Sequence, residues 1–257
     1  MNKNNNSRKT AEAFEATVEQ LQFIPYLLQD LWALGSYTNE IIKIIDKINL
    51  SPGKSKVLDL GCGKGANSIA IAQKFGVYVK GIDGFEPFIY DAIKKAKEKN
   101  VDHLTSFICG DIKNLLENKP EYNLVILASV GKIWNDYRTT IKNIRDVLNP
   151  SGYLLIEEGF ITDKTKVKND LYFEHEELVK QFTSFNDEIV KEIIFPDEWL
   201  INQNAQYNKV INNRAEELYL LHPDKRPIIR RYVERQIEEC KFLEENFRSA
   251  MWLIIKK

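Results

Sequence analysis

Lys56-Val57-Leu58-Asp59-Leu60-Gly61-Cys62-Gly63-Lys64-Gly65 (KVLDLGCGKG) decides the fold. Residues 56–60 form a short apolar run with one acid, which predicts a strand. The run enters three alternating glycines. Beyond them, residues 67–75 carry Ile69, Ala70 and Ala72 at helical spacing. Glycine lets the backbone turn sharply and approach a ligand where a side chain would collide. The following helix offers free N–H groups and the positive end of its dipole, which suit a carboxylate or phosphate. A bare tight turn is the plainer reading, and three glycines behind Asp59 count against it.

Moving downstream, the pattern repeats. Val77–Ile82, Thr105–Cys109, Leu124–Ala128 and Tyr153–Glu157 read as strands, and residues 86–99, 112–117 and 141–148 as helices. The apolar run Leu124–Ala128 suits a strand buried on both faces. Such alternation predicts a parallel sheet with right-handed crossovers. Ligands of open parallel sheets lie across the carboxyl ends of the strands. Asp83, at the tip of the second strand, is placed to accept hydrogen bonds from two ribose hydroxyls. Asp111, at the tip of the third, can accept from a purine amine with Ile112 against the ring, cap the next helix, or do both. Gly61-x-Gly63-x-x-Ala66 with Asp83 about 20 residues on also fits a dinucleotide fingerprint, so the loop alone leaves a nicotinamide cofactor open.

Flanking the strand–helix core are two helical regions. Residues 10–50 carry apolar positions at helical spacing, broken by Pro25 and Gly35-Ser36 into about three helices. In the C-terminal third, residues 174–185, 197–221 and 225–247 read as helices, and Glu188–Phe195 and Ser249–Ile255 as strands. The expected domains are an N-terminal helical cap at 1–50, a cofactor-binding core at 51–160, and a helical insertion or lid with the closing strands at 161–257. Residues 1–10 are expected to fray.

The ordered set VLDLGCGKG (57–65), GID (81–83), CGD (109–111), YNLVILA (122–128) and VLNPSGYLLIEE (147–158) resembles the class I S-adenosylmethionine-dependent methyltransferases. That resemblance covers residues 52–158, and Ser249–Ile255 is similar to the family's antiparallel closing strand. It implies an α/β fold: a Rossmann-like, seven-stranded, mostly parallel sheet with helices on both faces. S-Adenosyl-L-methionine is the implied cofactor. Gly61, Cys62, Gly63 and Gly65 would meet its methionyl and ribosyl parts, with Asp59 near the ammonium. Asp83 would hold the ribose, and Asp111 with Ile112 the adenine. Ala128 and Ser129 would line the methyl-transfer end. Members often carry a large apolar residue after the ribose-binding acid. Here Gly84 stands there, and Phe85 is expected to pack on the adenine instead.

A sulfonium methyl is already activated, so alignment and exclusion of water supply much of the catalysis. No catalytic side chain is assigned. Asp136, Tyr137, Glu157, Glu158 and His175 are the candidates for proton removal. The plainer readings make Asp136 and Tyr137 a helix start, Glu157 and Glu158 solvated loop acids, and His175 a surface residue. Trp134, Tyr137, Glu158 and Tyr37 are the expected substrate contacts. No Asn/Asp-Pro-Pro-aromatic loop follows the fourth strand, so the resemblance to base-amino DNA methyltransferases stops at the fold.

Composition narrows the partners. The 257 residues sum to a net charge of −1, which provides no global field for nucleic acid or anionic membrane. The cluster Lys225-Arg226…Arg230-Arg231 shares its helix with Glu234, Glu238 and Glu239. Three cysteines without ligand spacing point to a reducing compartment and no metal. No apolar run reaches the ~20 residues of a membrane span. The expectation is a cytoplasmic methyltransferase of a small-molecule acceptor, with a homodimer left open. A protein or RNA methyltransferase, a nicotinamide oxidoreductase and a non-catalytic cofactor-binding module remain alternatives.

Overall fold

The computed structural model describes residues 10–116, 119, 121–163, 167 and 172–257. The expected frayed start lies outside these except for Thr10, as does Glu117. The elements in chain order are α1 (Ile24–Leu27), α2 (Thr38–Ile45), β1 (Lys56–Leu60), α3 (Ala66–Phe75), β2 (Tyr78–Asp83), α4 (Glu86–Glu98), β3 (Thr105–Cys109), α5 (Ile112–Leu115), β4 (Tyr122–Ala128), α6 (Tyr137–Val147), β5 (Leu148–Ile161), α7 (His175–Phe182), β6 (Glu188–Ile194), α8 (Asp197–Leu221), α9 (Arg226–Asn246) and β7 (Phe247–Ile255). They divide into two compact units: residues 1–32 with 197–245, and residues 33–196 with 246–257. These divisions differ from the boundaries read from the sequence. Residues 33–50 go with the sheet, and the 161–257 segment is shared between the units.

The larger unit is one seven-stranded sheet of order β3-β2-β1-β4-β5-β7-β6. Strands β1 to β5 pair in parallel, and β7 runs antiparallel to both β5 and β6. Sequence order reverses between β1 and β4, so the switch point lies at their carboxyl ends. Alternation along the strands sorts residues by face. Leu58, Leu60, Val125, Leu127, Ile156 and Trp252 pack with Ile141 and Ile144 of α6 and with Leu178 and Phe182 of α7. Asp59, Ile126, Ala128, Leu155 and Glu157 alternate with these and take the other face, on the side of α3, whose Ser68 bonds Asp59.

Local signals set the ends of several elements. Gly65 and Gly76 bound α3, both left-handed at φ 78° and 62°. Asp136 caps α6 by accepting a 2.6 Å bond from the Thr139 amide. Strand β5 is far longer than the expected 153–157, because its start pairs with Tyr122 and its far end continues along β7. Residues 10–50 were expected to form about three helices, and the described residues there hold three short helical stretches: 10–13, α1 and α2. The intervening turns hold Leu28 and Leu31 buried without helical continuity.

The smaller unit contains α1, α8 and most of α9. Ile211, Ala215 and Leu218 are buried along one stripe of α8, and Ile229, Tyr232 and Val233 along α9. Tyr26 donates to Glu217 at 2.6 Å, and Arg214 forks onto Asp30 at 2.6 and 2.9 Å. Among the described residues no helix is long and apolar enough to cross a membrane.

Candidate functional site

The glycine loop leaves β1 and is fastened to β2. The Gly61 and Cys62 amides both donate to the Ile82 carbonyl, at 2.8 and 3.0 Å. Gly61, Gly63 and Gly65 all have positive φ, at 72°, 52° and 78°. The need for glycine differs among them. A Cβ on Gly61 would lie 2.4 Å from a Val130 methyl, and one on Gly65 would lie 3.0 Å from Ala92 and Phe107. At these two positions the obstacle is the protein itself. A Cβ on Gly63 would meet only Leu34, at 3.5 Å, and one on Gly84 would meet nothing within 4 Å. Ligand approach is therefore available at 63 and 84.

Asp83 ends β2 facing this space, half-buried. Its two oxygens accept from the Gly63 amide at 2.9 Å and the Phe85 amide at 2.8 Å. Burial raises its pKa, and those amides oppose the rise. A carboxylate has about four lone-pair sites, so each oxygen keeps capacity for another donor. Phe85 caps α4, and its ring meets Phe88 edge-on at 4.9 Å. Asp111 accepts from the Lys113 amide at 3.0 Å as the cap of α5, and Ile112 packs toward the α6-side core.

Asp59 lies beneath the loop, 1% exposed, and accepts 2.5 Å from the Ser68 hydroxyl. Burial pushes its pKa up to about 6, against the Ser68 bond. Cys62 is buried beside Gly81, and burial raises its thiol pKa. Lys64 is buried too, its ammonium 5.2 Å from the Phe88 ring centre.

The β4 tip is the second half of the site. Ala128 is buried. Ser129 is exposed at φ 56°, an uncommon conformation for a residue with a side chain, and donates from its amide to the Glu157 carbonyl at 2.9 Å. Residues 34–38 run alongside. Ser36 and Thr38 donate to the Asn67 side chain at 2.9 and 2.7 Å, and the Tyr37 amide donates to Glu157 at 3.1 and 3.3 Å.

Glu157 and Glu158 are not the solvated loop acids read from the sequence. Both lie in β5. Glu157 is 3% exposed and its pKa is pushed up to about 8, chiefly by burial, with the Tyr37 amide opposing and Glu158 adding. Glu158 accepts from the Tyr137 hydroxyl and, at 2.9 Å, from the Gly159 amide. Burial raises its pKa and the Tyr137 bond opposes. Tyr137 is buried at the start of α6 against Phe182, its hydroxyl pKa raised by burial and Glu158. Trp134 is half-buried, its amide donating to Thr140 at 3.2 Å. The Tyr37 ring lies 4.4 Å from Phe195. His175 pairs with Glu192 at 2.5 Å, and Glu192 also accepts from the Trp252 indole.

The structure thus gathers the loop, Asp83, Ala128, Ser129 and Tyr37 around the carboxyl ends of β1, β2 and β4. It places Tyr137 and Glu158 together on the α6 side. The burial of Glu157 was missed, and the one signal for it is its two-residue spacing after Leu155. Asn67 carried no local signal. A cavity of about 230 Å³, lined by Lys56, Tyr78, Lys80, His103 and Glu121, sits at the opposite ends of the strands, away from the loop.

The sequence profile of a family described as a methyltransferase domain matches residues 52–214. The chain belongs to that methyltransferase-domain family. The methyltransferase domain is 34% identical over 100 residues to the malonyl-[acyl-carrier protein] O-methyltransferase of Priestia megaterium, covering 38% of this chain and 35% of that one. It is 49% identical over 120 residues to phosphoethanolamine N-methyltransferase 1 of Zea mays, covering 45% and 23%. The chain therefore spans well under half the length of these curated relatives. A solved S-adenosylmethionine-dependent methyltransferase of Geobacter sulfurreducens, in complex with S-adenosyl-L-homocysteine, aligns with a TM-score of 0.77 at 17% identity, over 92% of this chain and 98% of that one. At that identity the likeness speaks for the fold.

Proposed function

We propose that the chain transfers the methyl group of S-adenosyl-L-methionine to a small-molecule acceptor by in-line displacement. The observation that carries this is Asp83. It is a half-buried carboxylate fixed by two loop amides, beside backbone at 63 and 84 that leaves room for a ligand. Asp83 would hold the ribose hydroxyls, and Asp111 with Ile112 the adenine. Gly63 and Gly84 would pass close to the nucleoside. Ala128 and Ser129 would border the reacting methyl. Asp59, buried on Ser68, would act on the methionyl ammonium through the loop and not by open contact. The sulfonium supplies an activated methyl. The protein supplies alignment and a dry pocket. The near-neutral charge of the chain supports a small acceptor over a polyanionic one. Cys62, Cys109 and Cys240 are all free thiols, which supports a cytoplasmic setting.

Titration calorimetry with S-adenosylhomocysteine tests the reading. Wild type should bind it and melt higher in its presence, because a ligand of the folded state alone raises stability. Asp83→Ala removes a charged acceptor of two hydroxyl bonds and should weaken binding about 100-fold, at about 1.5 kcal/mol or more per bond. Stabilisation by a nicotinamide dinucleotide in place of S-adenosylhomocysteine would overturn it.

A further inference from the structure

Among the titratable side chains around the β4 tip, most are already occupied. Asp136 caps α6, Glu158 holds the Tyr137 hydroxyl, and His175 is paired with Glu192. Glu157 differs. It stands opposite Ala128 in the β4–β5 register, and its own carbonyl fixes the Ser129 amide. The residue is 3% exposed, yet among the described residues both its carboxyl oxygens share the single N–H of Tyr37. A carboxyl with about four lone-pair sites and one shared donor retains acceptor capacity in a place where that capacity is costly to leave unused.

We propose that Glu157 is the catalytic group that takes the acceptor's proton, and that the acceptor is an amine. This rests on the methyltransferase reading above. The amine nitrogen forms its bond to the methyl carbon as the carbon–sulfur bond breaks. The electron pair of the broken bond stays on sulfur, giving the neutral thioether, and the amine's proton passes to the Glu157 carboxylate. The acids select the class. An alcohol, phenol or thiol brings no positive charge to balance an ionised Glu157 in this buried place, so none of them gains from it as an ammonium does. An ammonium is attracted. Burial lowers the pKa of an ammonium and raises that of a carboxyl, which brings the two into range for transfer. Glu157, at about 8, has moved in that direction through burial and Glu158, with the Tyr37 amide opposing. The half-buried Tyr37 ring offers a further face to a cation.

The test uses the full chain. Wild type and Glu157→Gln are first titrated with S-adenosylhomocysteine, and equal affinity shows that the variant is folded with its cofactor half intact. A panel of alkylamines, an arylamine, alcohols, phenols and thiols is then supplied with S-adenosylmethionine, and products are identified by mass. Wild type should yield N-methyl products. Glu157→Gln should lose about 100-fold in kcat on alkylamines at neutral pH. Its rate should recover at high pH, where the amine sheds its own proton, and the arylamine, already neutral, should be nearly unaffected. A second measurement does not depend on turnover. Alkylamine binding to wild type with S-adenosylhomocysteine, followed in two buffers of different ionisation enthalpy, should release a proton as Glu157 ionises against the ammonium, and Glu157→Gln should release none. Methylation at oxygen or sulfur with no amine product, an unchanged alkylamine rate in the variant, or no proton release by wild type would each overturn the proposal. Failure of wild type to bind S-adenosylhomocysteine would instead bring down the methyltransferase reading itself.

Discussion

The two halves of the site are built by different means. On the glycine-loop side the parts are backbone: Gly61 and Cys62 bond Ile82, and Gly63 bonds an aspartate 20 residues away. On the β4–β5 side the parts are side chains brought from afar. Tyr37 and Glu157 are 120 residues apart, Ser129 and Gly35 94, and Tyr137 and Gln181 44. The first half is written in glycine positions, where conformation and clearance leave little choice. The second is written in contacts that change the state of carboxyl groups. A substitution on the loop should therefore act through sterics and be indifferent to pH, and one at the β4–β5 tip should act through proton affinity.

The largest effect is expected at Gly61. Alanine there meets a Val130 methyl at 2.4 Å and must hold φ near 72°. Overpacking costs about 1–3 kcal/mol and left-handed strain about 1–3 more. Urea unfolding of Gly61→Ala should show a loss of about 4 kcal/mol, equal at pH 5 and pH 8. Adding Val130→Ala should return the overlap share and leave the backbone share. If Gly61→Ala kept its stability and lost only S-adenosylhomocysteine affinity, the glycine would serve the ligand and not the protein.

Tyr137→Phe sharpens the other side. It strips Glu158 of its hydroxyl donor and should cost about 1–3 kcal/mol. The cost should depend on pH with a definite sign. Burial holds the folded pKa of Glu158 above its ordinary 4.5, so the folded state keeps a proton that the unfolded state gives up. Stability from this group therefore falls as pH rises above 4.5. The Tyr137 bond lowers the folded pKa, and removing it widens that window. Denaturation midpoints at pH 5 and pH 8 should show the gap between variant and wild type growing with pH. A constant gap would mean that the Tyr137 hydroxyl does not tune the proton affinity of Glu158, since the variant keeps its ring against Phe182.

This division also explains what the sequence made legible. Strands β1 and β3 appear at the residues read from their apolar runs, and β2 one residue later. The loop, Asp83 and Asp111 could be placed at strand ends because the apolar runs stop just before them. The length of β5 could not, since its outer residues are held by β7, a strand from the far end of the chain. Residues 10–50 show helical spacing that turns exploit as readily as helices do. Glu157 and Glu158 looked solvated because charge argues for solvent. The Tyr37 amide and the Tyr137 hydroxyl, both remote in sequence, join the neighbouring Gly159 amide in making their burial tolerable.

Gly84 should give the smallest effect on the protein, and for that reason the cleanest comparison with Gly61. Apart from its chain neighbours, nothing among the described residues lies within 4 Å of a Cβ built there, and its φ is not in the left-handed region. Gly84→Ala should therefore leave unfolding within about 0.5 kcal/mol of wild type. The methyl would project beside Asp83 into the space assigned to the nucleoside. A ligand there must tilt or shed one contact, worth about 1 kcal/mol, so S-adenosylhomocysteine should bind roughly five-fold more weakly. Unchanged affinity would move the ligand away from 84 and leave the ribose to Asp83 from its Gly63 side only. Paired with Gly61→Ala, the result separates two reasons for glycine within one loop system: clearance for a neighbouring side chain, which unfolding reads, and clearance for a ligand, which only binding reads.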